Sequence, residues 1–216
     1  MECTKCYLRE NVIPRAERGV TKVHFIQLVI LLFCFLIACT VAANPLPRCD
    51  SSGGSVNGPC LGEIVWDGFA VFKGLIENGE AVKGTVKYDN GEYYDGELLR
   101  TRPHGTGKIT HLNGSIYEGE LKYGLYFGQG KLIFAPDDKD WAGHRYEGGF
   151  KSGLYHGKGT YSYSDGTKFV GDYVDGKATG KGAFIYTDGA TLIGDYVDAV
   201  ANGKGTYSYP NGSTYL

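Results

Sequence analysis

From Phe72 to the C-terminus, apolar and polar residues alternate with period two, and the alternation restarts at a near-constant interval. The restarts fall at Phe72, Tyr94, Tyr117, Tyr146, Phe169 and Leu192, which are 22, 23, 29, 23 and 23 residues apart. A period of two places alternate residues on one face of a strand. In the fifth unit Phe169, Gly171 and Tyr173 would share a face, as would Gly180, Gly182, Phe184 and Tyr186 on the next strand. Units close on Asn90-Gly91, Asn113-Gly114, Asp165-Gly166, Asp188-Gly189 and Asn211-Gly212. Such dipeptides favour type I′ hairpin turns, with positive φ at both central residues. The pattern predicts two antiparallel strands per unit, about twelve in all, in an all-β, elongated antiparallel meander of six β-hairpins. Units this short cannot bury a core alone, so they must stack into an open array.

Glycines recur at fixed places in this pattern. Each leading residue is followed at the second position by Gly74, Gly96, Gly119, Gly148, Gly171 or Gly194. A G-x-G pair follows, ending in Gly107, Gly130, Gly159, Gly182 and Gly205; the first unit keeps only Gly84. Each glycine costs about 0.5–1 kcal/mol of backbone entropy relative to alanine, so it needs a packing reason. Aromatic rings lying over bare backbone supply one, as in aromatic rescue of designed sheets. The opposite face reads as polar. Glu97, Glu120, Asp172 and Asp195 stand at the third position, and Lys158, Lys181 and Lys204 lie inside the last three G-x-G pairs. These rows read as a solvated, charge-paired surface that also discourages wrong strand pairing.

The pattern Y-x-G-x-x-x-x-G-x-x-x-G-x-G with a D/N-G turn resembles the MORN (membrane occupation and recognition nexus) repeat. Tyr146-Glu147-Gly148-Gly149-Phe150-Lys151-Ser152-Gly153-Leu154-Tyr155-His156-Gly157-Lys158-Gly159 is a close match. The resemblance covers residues 72–216, although the first unit is degenerate and the sixth has Asp198-Ala199 where the family has glycine. It implies elongated arrays of β-hairpins acting as scaffolds, dimerisation modules or membrane-association modules, sometimes with phosphoinositide binding.

The segment before the repeats is a different material. Of 34 glycines and 17 tyrosines, all but four and one lie from Gly62 onward, whereas all six cysteines precede it. Residues 25–43 carry no charge, and nineteen residues at about 1.5 Å each nearly match a hydrocarbon core of roughly 30 Å. This predicts an N-terminal hydrophobic helix serving as a signal peptide or membrane anchor. The basic region 1–24 has five lysines and arginines against three glutamates, which keeps that flank cytoplasmic and sends the repeats across. Three fates stay open: retention as an anchor, cleavage after Val41-Ala42-Ala43, or lipidation at Cys39 in Leu36-Ile37-Ala38-Cys39. Residues 44–62 form a Gly/Ser/Pro-rich linker, and 63–216 the array. Cys49 and Cys60 in the linker are a candidate disulfide in an oxidising compartment, or two free thiols. Cys3-x-x-Cys6 has no second half and makes a poor metal motif.

Chemistry is sparse. The chain has no G-x-x-x-x-G-K-[ST] loop, and its G-x-G pairs recur without a following helix. His104 and His156 occupy the family's H-G position and read as structural, while His111 and His144 are isolated. No catalytic residues, cofactor or metal are expected, and the chain is read as no enzyme. From Gly62 on, sixteen lysines and arginines face twenty acids, a net of −4 that does not favour nucleic acid or anionic headgroups. Asn113-Gly114-Ser115 and Asn211-Gly212-Ser213 fit the glycosylation sequon. The insertion Asp137-Asp138-Lys139-Asp140-Trp141-Ala142 breaks the period, and its first five residues are candidate partner contacts. The expected function is a non-catalytic, membrane-anchored or exported scaffold that binds a protein partner or itself. The alternatives are a lipid-binding module, or an N-terminal fragment of a lipid kinase or lysine methyltransferase.

Overall fold

The computed structural model describes residues 46–49 and 58–216. The apolar segment 25–43 with its expected helix, Cys39 and the Cys3–Cys6 pair lie outside these residues. Among the described residues, no helix is long and apolar enough to cross a membrane.

The described chain is a single antiparallel sheet whose strands follow one another in sequence order. They are β1 (Cys60–Trp66), β2 (Ala70–Glu77), β3 (Glu80–Tyr88), β4 (Tyr93–Leu99), β5 (Arg102–Thr110), β6 (Ile116–Lys122) and β7 (Leu125–Ile133). Then come β8 (Arg145–Lys151), β9 (Leu154–Ser162), β10 (Lys168–Val174), β11 (Lys177–Ile185), β12 (Thr191–Val197), β13 (Val200–Ser208) and β14 (Thr214–Tyr215). The meander thus has fourteen strands rather than about twelve. The additional ones are β1, which pairs along its whole length with β2, and the two-residue β14. Strand β1 begins at Cys60, inside the segment read as linker. The linker's start is tied to it as well: Cys49 N donates to Leu61 O and Leu61 N to Pro47 O.

The expected turns are corrected. The tight two-residue turns with both φ positive are Asn78-Gly79, Arg100-Thr101, Tyr123-Gly124, Ser152-Gly153, Asp175-Gly176 and Asp198-Ala199. The closing D/N-G dipeptides make wider loops in which only the glycine has positive φ. At the first, Gly91 N donates to Tyr88 O and Tyr88 N to Glu92 O. The Asn or Asp side chain caps each loop: Asn90, Asn113, Asp165, Asp188 and Asn211 accept from the backbone N–H two residues on, at 2.8–3.0 Å. This Asx turn offers Asn and Asp a local hydrogen bond outside the I′ geometry.

Glycines from successive strands pair into one row across the sheet, from Gly62↔Gly74 through Gly130↔Gly148 to Gly194↔Gly205. Over this row lie the leading rings: Tyr94, Tyr117 and Tyr146 have no solvent exposure and Phe169 is 3% exposed. An added Cβ at Gly130 would meet the Tyr117 ring and hydroxyl at 2.5–2.7 Å, and one at Gly171 would meet the Phe169 ring at 2.7 Å. The two glycines of G-x-G do different jobs. The second lies under the ring; the first sits in a bulge, where three residues of one strand span one of its partner. In β11, Thr179–Lys181 span Asp172, and Gly180 has a φ of 97°. That conformation strains any residue with a Cβ. Gly180 and Gly182 therefore do not sit in the regular alternation that sequence suggested.

Candidate functional site

Rings on the glycine-covering side interlock. Tyr117 lies parallel to Tyr126 at 3.7 Å and meets Phe150 edge-on at 5.2 Å. Tyr146 lies parallel to Tyr155 at 3.8 Å and meets Tyr173 edge-on at 5.1 Å. The leading tyrosines also donate to a backbone carbonyl three residues on: Tyr117 to Glu120 O at 2.6 Å and Tyr146 to Gly149 O at 3.0 Å. Burial pushes the phenols of Tyr126 and Tyr146 up to about 12.

Between the fourth and fifth units this face opens into an apolar groove of about 450 Å³. Phe169, Tyr173 and Ala178 form its buried floor, and Tyr155, Tyr161 and Phe184 its walls. The six-residue insertion supplies the mouth. Phe134 N donates to His144 O and His144 N to Trp141 O, which pinches the loop closed at its base. Asp138 Oδ1 accepts from the N–H groups of Asp140 and Trp141, at 3.1 and 3.0 Å. The Trp141 ring, 48% exposed, lies 6.0 Å from Phe134 and 5.6 Å from His144. Of the candidate contacts, Trp141 lines the groove; Asp137, Lys139 and Asp140 are exposed on the loop, with Asp138 folded inward as its cap.

Cys49 and Cys60 are joined, with S–S 2.06 Å, and Cys60, the first residue of β1, is buried. The bond closes 11 residues of sequence separation and fastens the chain before β1 to the sheet's first edge.

His111 and His144 are not isolated. His111 Nδ1 lies 2.9 Å from Glu92 Oε1, and its Nε2 is hydrogen-bonded to the Tyr126 hydroxyl. His144 Nδ1 lies 2.8 Å from the Tyr161 hydroxyl. The bonds from His111 and then Asn90 hold the Glu92 carboxyl below its usual range. A carboxylate–imidazole–phenol chain resembles the start of a nucleophile-activating relay. Here Tyr126 is partly buried and stacked on Tyr117, and burial raises its phenol; the chain of bonds links β7 to the loops that precede β4 and follow β5.

The other face carries an open trough of about 1300 Å³, with Lys131, Arg145, Lys158 and Lys181 beside Glu147 and Asp172. Two of its lysines pair across strands: Lys158–Asp172 at 3.0 Å and Lys181–Asp195 at 3.5 Å. Exposed pairs of this kind add little stability.

Sequence reasoning found Trp141 and missed the rest of the groove. Its aromatic members look like ordinary repeat positions, and Ala178 has no distinguishing signal in a strand.

A family model described as the MORN repeat matches residues 94–116, 117–139, 146–168, 169–191 and 193–214. The degenerate unit led by Phe72 lies outside these matches. No curated protein matches the chain. Among solved structures, it is similar to the SAS-4 (dCPAP) TCP domain in complex with a proline-rich motif of Ana2 (dSTIL) of Drosophila melanogaster. The identity is 17%, the TM-score 0.42, and the match covers 72% of this chain and 88% of that one.

Proposed function

The chain belongs to the MORN-repeat family, and we propose that its array is a non-catalytic scaffold that binds a protein partner through the aromatic groove. The observation behind this reading is the joining of an exposed Trp141, on the one insertion that breaks the period, to an apolar groove of about 450 Å³. Exposed aromatic anchors beside pockets are where interface energy concentrates. The rest of the sheet gives a firm base, because the leading rings Phe72, Tyr94, Tyr117, Tyr146 and Phe169 are buried against the glycine row.

In the same proposal, residues 25–43 bring the array to a membrane or export it, and the repeats face the extracytoplasmic side. The Cys49–Cys60 disulfide supports this, since such bonds persist in oxidising compartments. No cofactor, metal or nucleic acid takes part. Lipid binding by the array is the weaker reading, because Lys158 and Lys181 of the other face are paired with acids and the net charge from Gly62 on is −4.

The test is affinity purification of the membrane-fractionated chain, followed by mass spectrometry of partners and of the N-terminus. Deleting 137–142 should abolish recovery of the partner while far-UV circular dichroism stays unchanged. Equal recovery by the deleted chain would refute the groove as the binding site. Tight, salt-sensitive flotation of the array with acidic liposomes would favour lipid binding instead.

A further inference from the structure

In the third to fifth units one strand position decides whether a second ring lies flat on the leading ring. It is the residue paired with the apolar residue four places after the ring: Leu121↔Tyr126, Phe150↔Tyr155 and Tyr173↔Ala178. In the third and fourth units it is tyrosine, and its ring lies flat on the leading ring, at 3.7 Å and 6° for Tyr126, and 3.8 Å and 18° for Tyr155. In the fifth unit it is Ala178. The ring neighbours of Phe169 are Tyr173, Phe184 and Tyr196, at interplanar angles of 89°, 62° and 81°. None of these lies parallel to it. Alanine recurs at this position in the first and sixth units, as Ala81 and Ala201, but in other surroundings. In the first, Trp66 stacks on Phe72 at 6.0 Å; buried Pro103 takes the place in the second; and the sixth has a space of about 360 Å³ beside Leu192, which offers no ring to stack on.

The groove floor is this place: Phe169, Tyr173 and Ala178 beneath, Tyr155 and Phe184 beside. We propose that it takes an aromatic side chain of a partner protein, carried on a basic segment, in the position that Tyr126 and Tyr155 fill within their own units. This rests on the scaffold reading above and names the partner's chemistry. The ring follows from the two internal examples, which show what this backbone accommodates against a leading ring. An offset or edge-on ring also suits the walls, whose aromatic quadrupoles favour such packing. The basic flank follows from charge. Asp137, Asp138 and Asp140 stand against Lys139 on the loop that bears Trp141. Lys177, the cation in the groove lining, is already held by Asp198 at 2.8 Å. Cations beside the partner's ring would meet carboxylates on the loop, and Trp141 offers them a π face.

The probe is an end-blocked pentapeptide, glycine-lysine-fluorotryptophan-lysine-glycine, observed by fluorine NMR with the full-length chain in phosphatidylcholine nanodiscs. The expected result is saturable binding that weakens with salt. An unlabelled peptide with leucine for tryptophan should fail to compete, and one with glutamates for lysines should compete poorly. Ala178→Tyr supplies the missing ring in cis. It should weaken the peptide by at least about tenfold while the melting temperature holds or rises. Should that variant not fold, Ala178→Leu fills the place with less bulk, and Trp141→Ala removes the mouth from an exposed site; both should lose affinity. Unchanged binding by a folded Ala178→Tyr chain, or equal competition by the leucine peptide, overturns the proposal. A partner lost on deleting 137–142 yet retained by Ala178→Tyr would sink the slot and leave the scaffold standing. A partner retained by both sinks the scaffold reading too.

Discussion

Replacing Gly130 with alanine tests whether the glycine row exists to admit rings. Gly130 is not among the residues of positive φ, so its backbone accepts alanine without strain. The obstacle is Tyr117, whose ring and hydroxyl would lie 2.5–2.7 Å from the new Cβ, where ordinary contact begins near 3.4 Å. The ring would have to retreat by roughly 0.9 Å. It has nowhere to go: it is fully buried, with Tyr126 stacked at 3.7 Å and Phe150 edge-on at 5.2 Å. Retreat also stretches the 2.6 Å hydrogen bond from Tyr117 to Glu120 O. Overpacking of this kind costs about 1–3 kcal/mol, a range that includes the weakened stack and hydrogen bond. Alanine recovers about 0.5–1 kcal/mol by restricting the unfolded chain. The expected net change in urea unfolding is a loss of about 1 kcal/mol, and at most about 2.5 kcal/mol, with faster hydrogen exchange centred on β6 and β7. Gly194→Ala is the internal control. Its leading residue is Leu192, and the nearest atom to a new Cβ there is 3.4 Å away, so stability should hold or rise. The decisive comparison is Gly130→Ala in a Tyr117→Leu background, where the penalty should vanish. The same loss in both backgrounds would refute the ring as its cause.

Ala199 at φ 68° and Thr101 at φ 64° occupy turn positions where glycine serves the other hairpins. Left-handed backbone costs such residues about 1–2 kcal/mol, so Ala199→Gly and Thr101→Gly should each stabilise by about 0.5–1 kcal/mol in urea titration after the entropy of the added glycine is subtracted. No gain from either would mean that these turns relax. Cys49→Ser should lower stability by about 3 kcal/mol, the loop entropy expected for a sequence separation of 11. That loss should appear first in β1 and β2, read by Trp66 fluorescence on heating, and an unaltered first transition would contradict it. Tyr126 and Tyr146 have phenols pushed up to about 12 by burial, against about 10 in an unfolded chain. The unfolded state therefore releases these protons first, so stability is intact below pH about 10 and falls as pH rises towards 12. Absorbance at 295 nm should show part of the tyrosine ionising only as circular dichroism is lost, and full ionisation of the folded array would disprove the burial.

The period, the strand class and the pairing of glycine with aromatic were legible because each unit repeats the same local arrangement. The turns were not. Asn-Gly is a strong I′ signal, yet register assigned the tight turns to pairs as unpromising as Arg100-Thr101, and the Asn side chains capped the wider loops. A dipeptide reports what it tolerates; strand pairing decides where two positive φ values are needed. The bulge was hidden for a related reason. Both glycines of G-x-G look alike, and only the offset between β10 and β11 separates Gly180, which turns the backbone, from Gly182, which lies under a ring. Trp141 was visible as a break in period, whereas the floor of its groove is made of residues that keep the period.

Ala178 shows why that floor escapes notice and why it matters. In a repeat array each unit contacts only its neighbours, so a stack forgone in one unit is a local loss. An aromatic pair adds about 0.5–1.5 kcal/mol beyond its buried area, and the third and fourth units both have one that the fifth lacks. The gap is not closed by collapse: Phe184 leans towards Phe169 at 5.0 Å but stays tilted by 62°, while Ala178 pairs with Tyr173 on one side and its carbonyl accepts from Ala199 N at 2.8 Å on the other. A rigid hydrogen-bonded sheet can hold such a space open where a loosely packed core would fill it. The adjacent insertion sets Trp141 at the mouth of that same space. Ala178→Tyr therefore separates two roles that a loss-of-function substitution would confound, because a ring supplied in cis repairs the stack while it blocks the site. Stability and binding should move in opposite directions in that variant, and a parallel fall in both would mean that the space is only a packing defect.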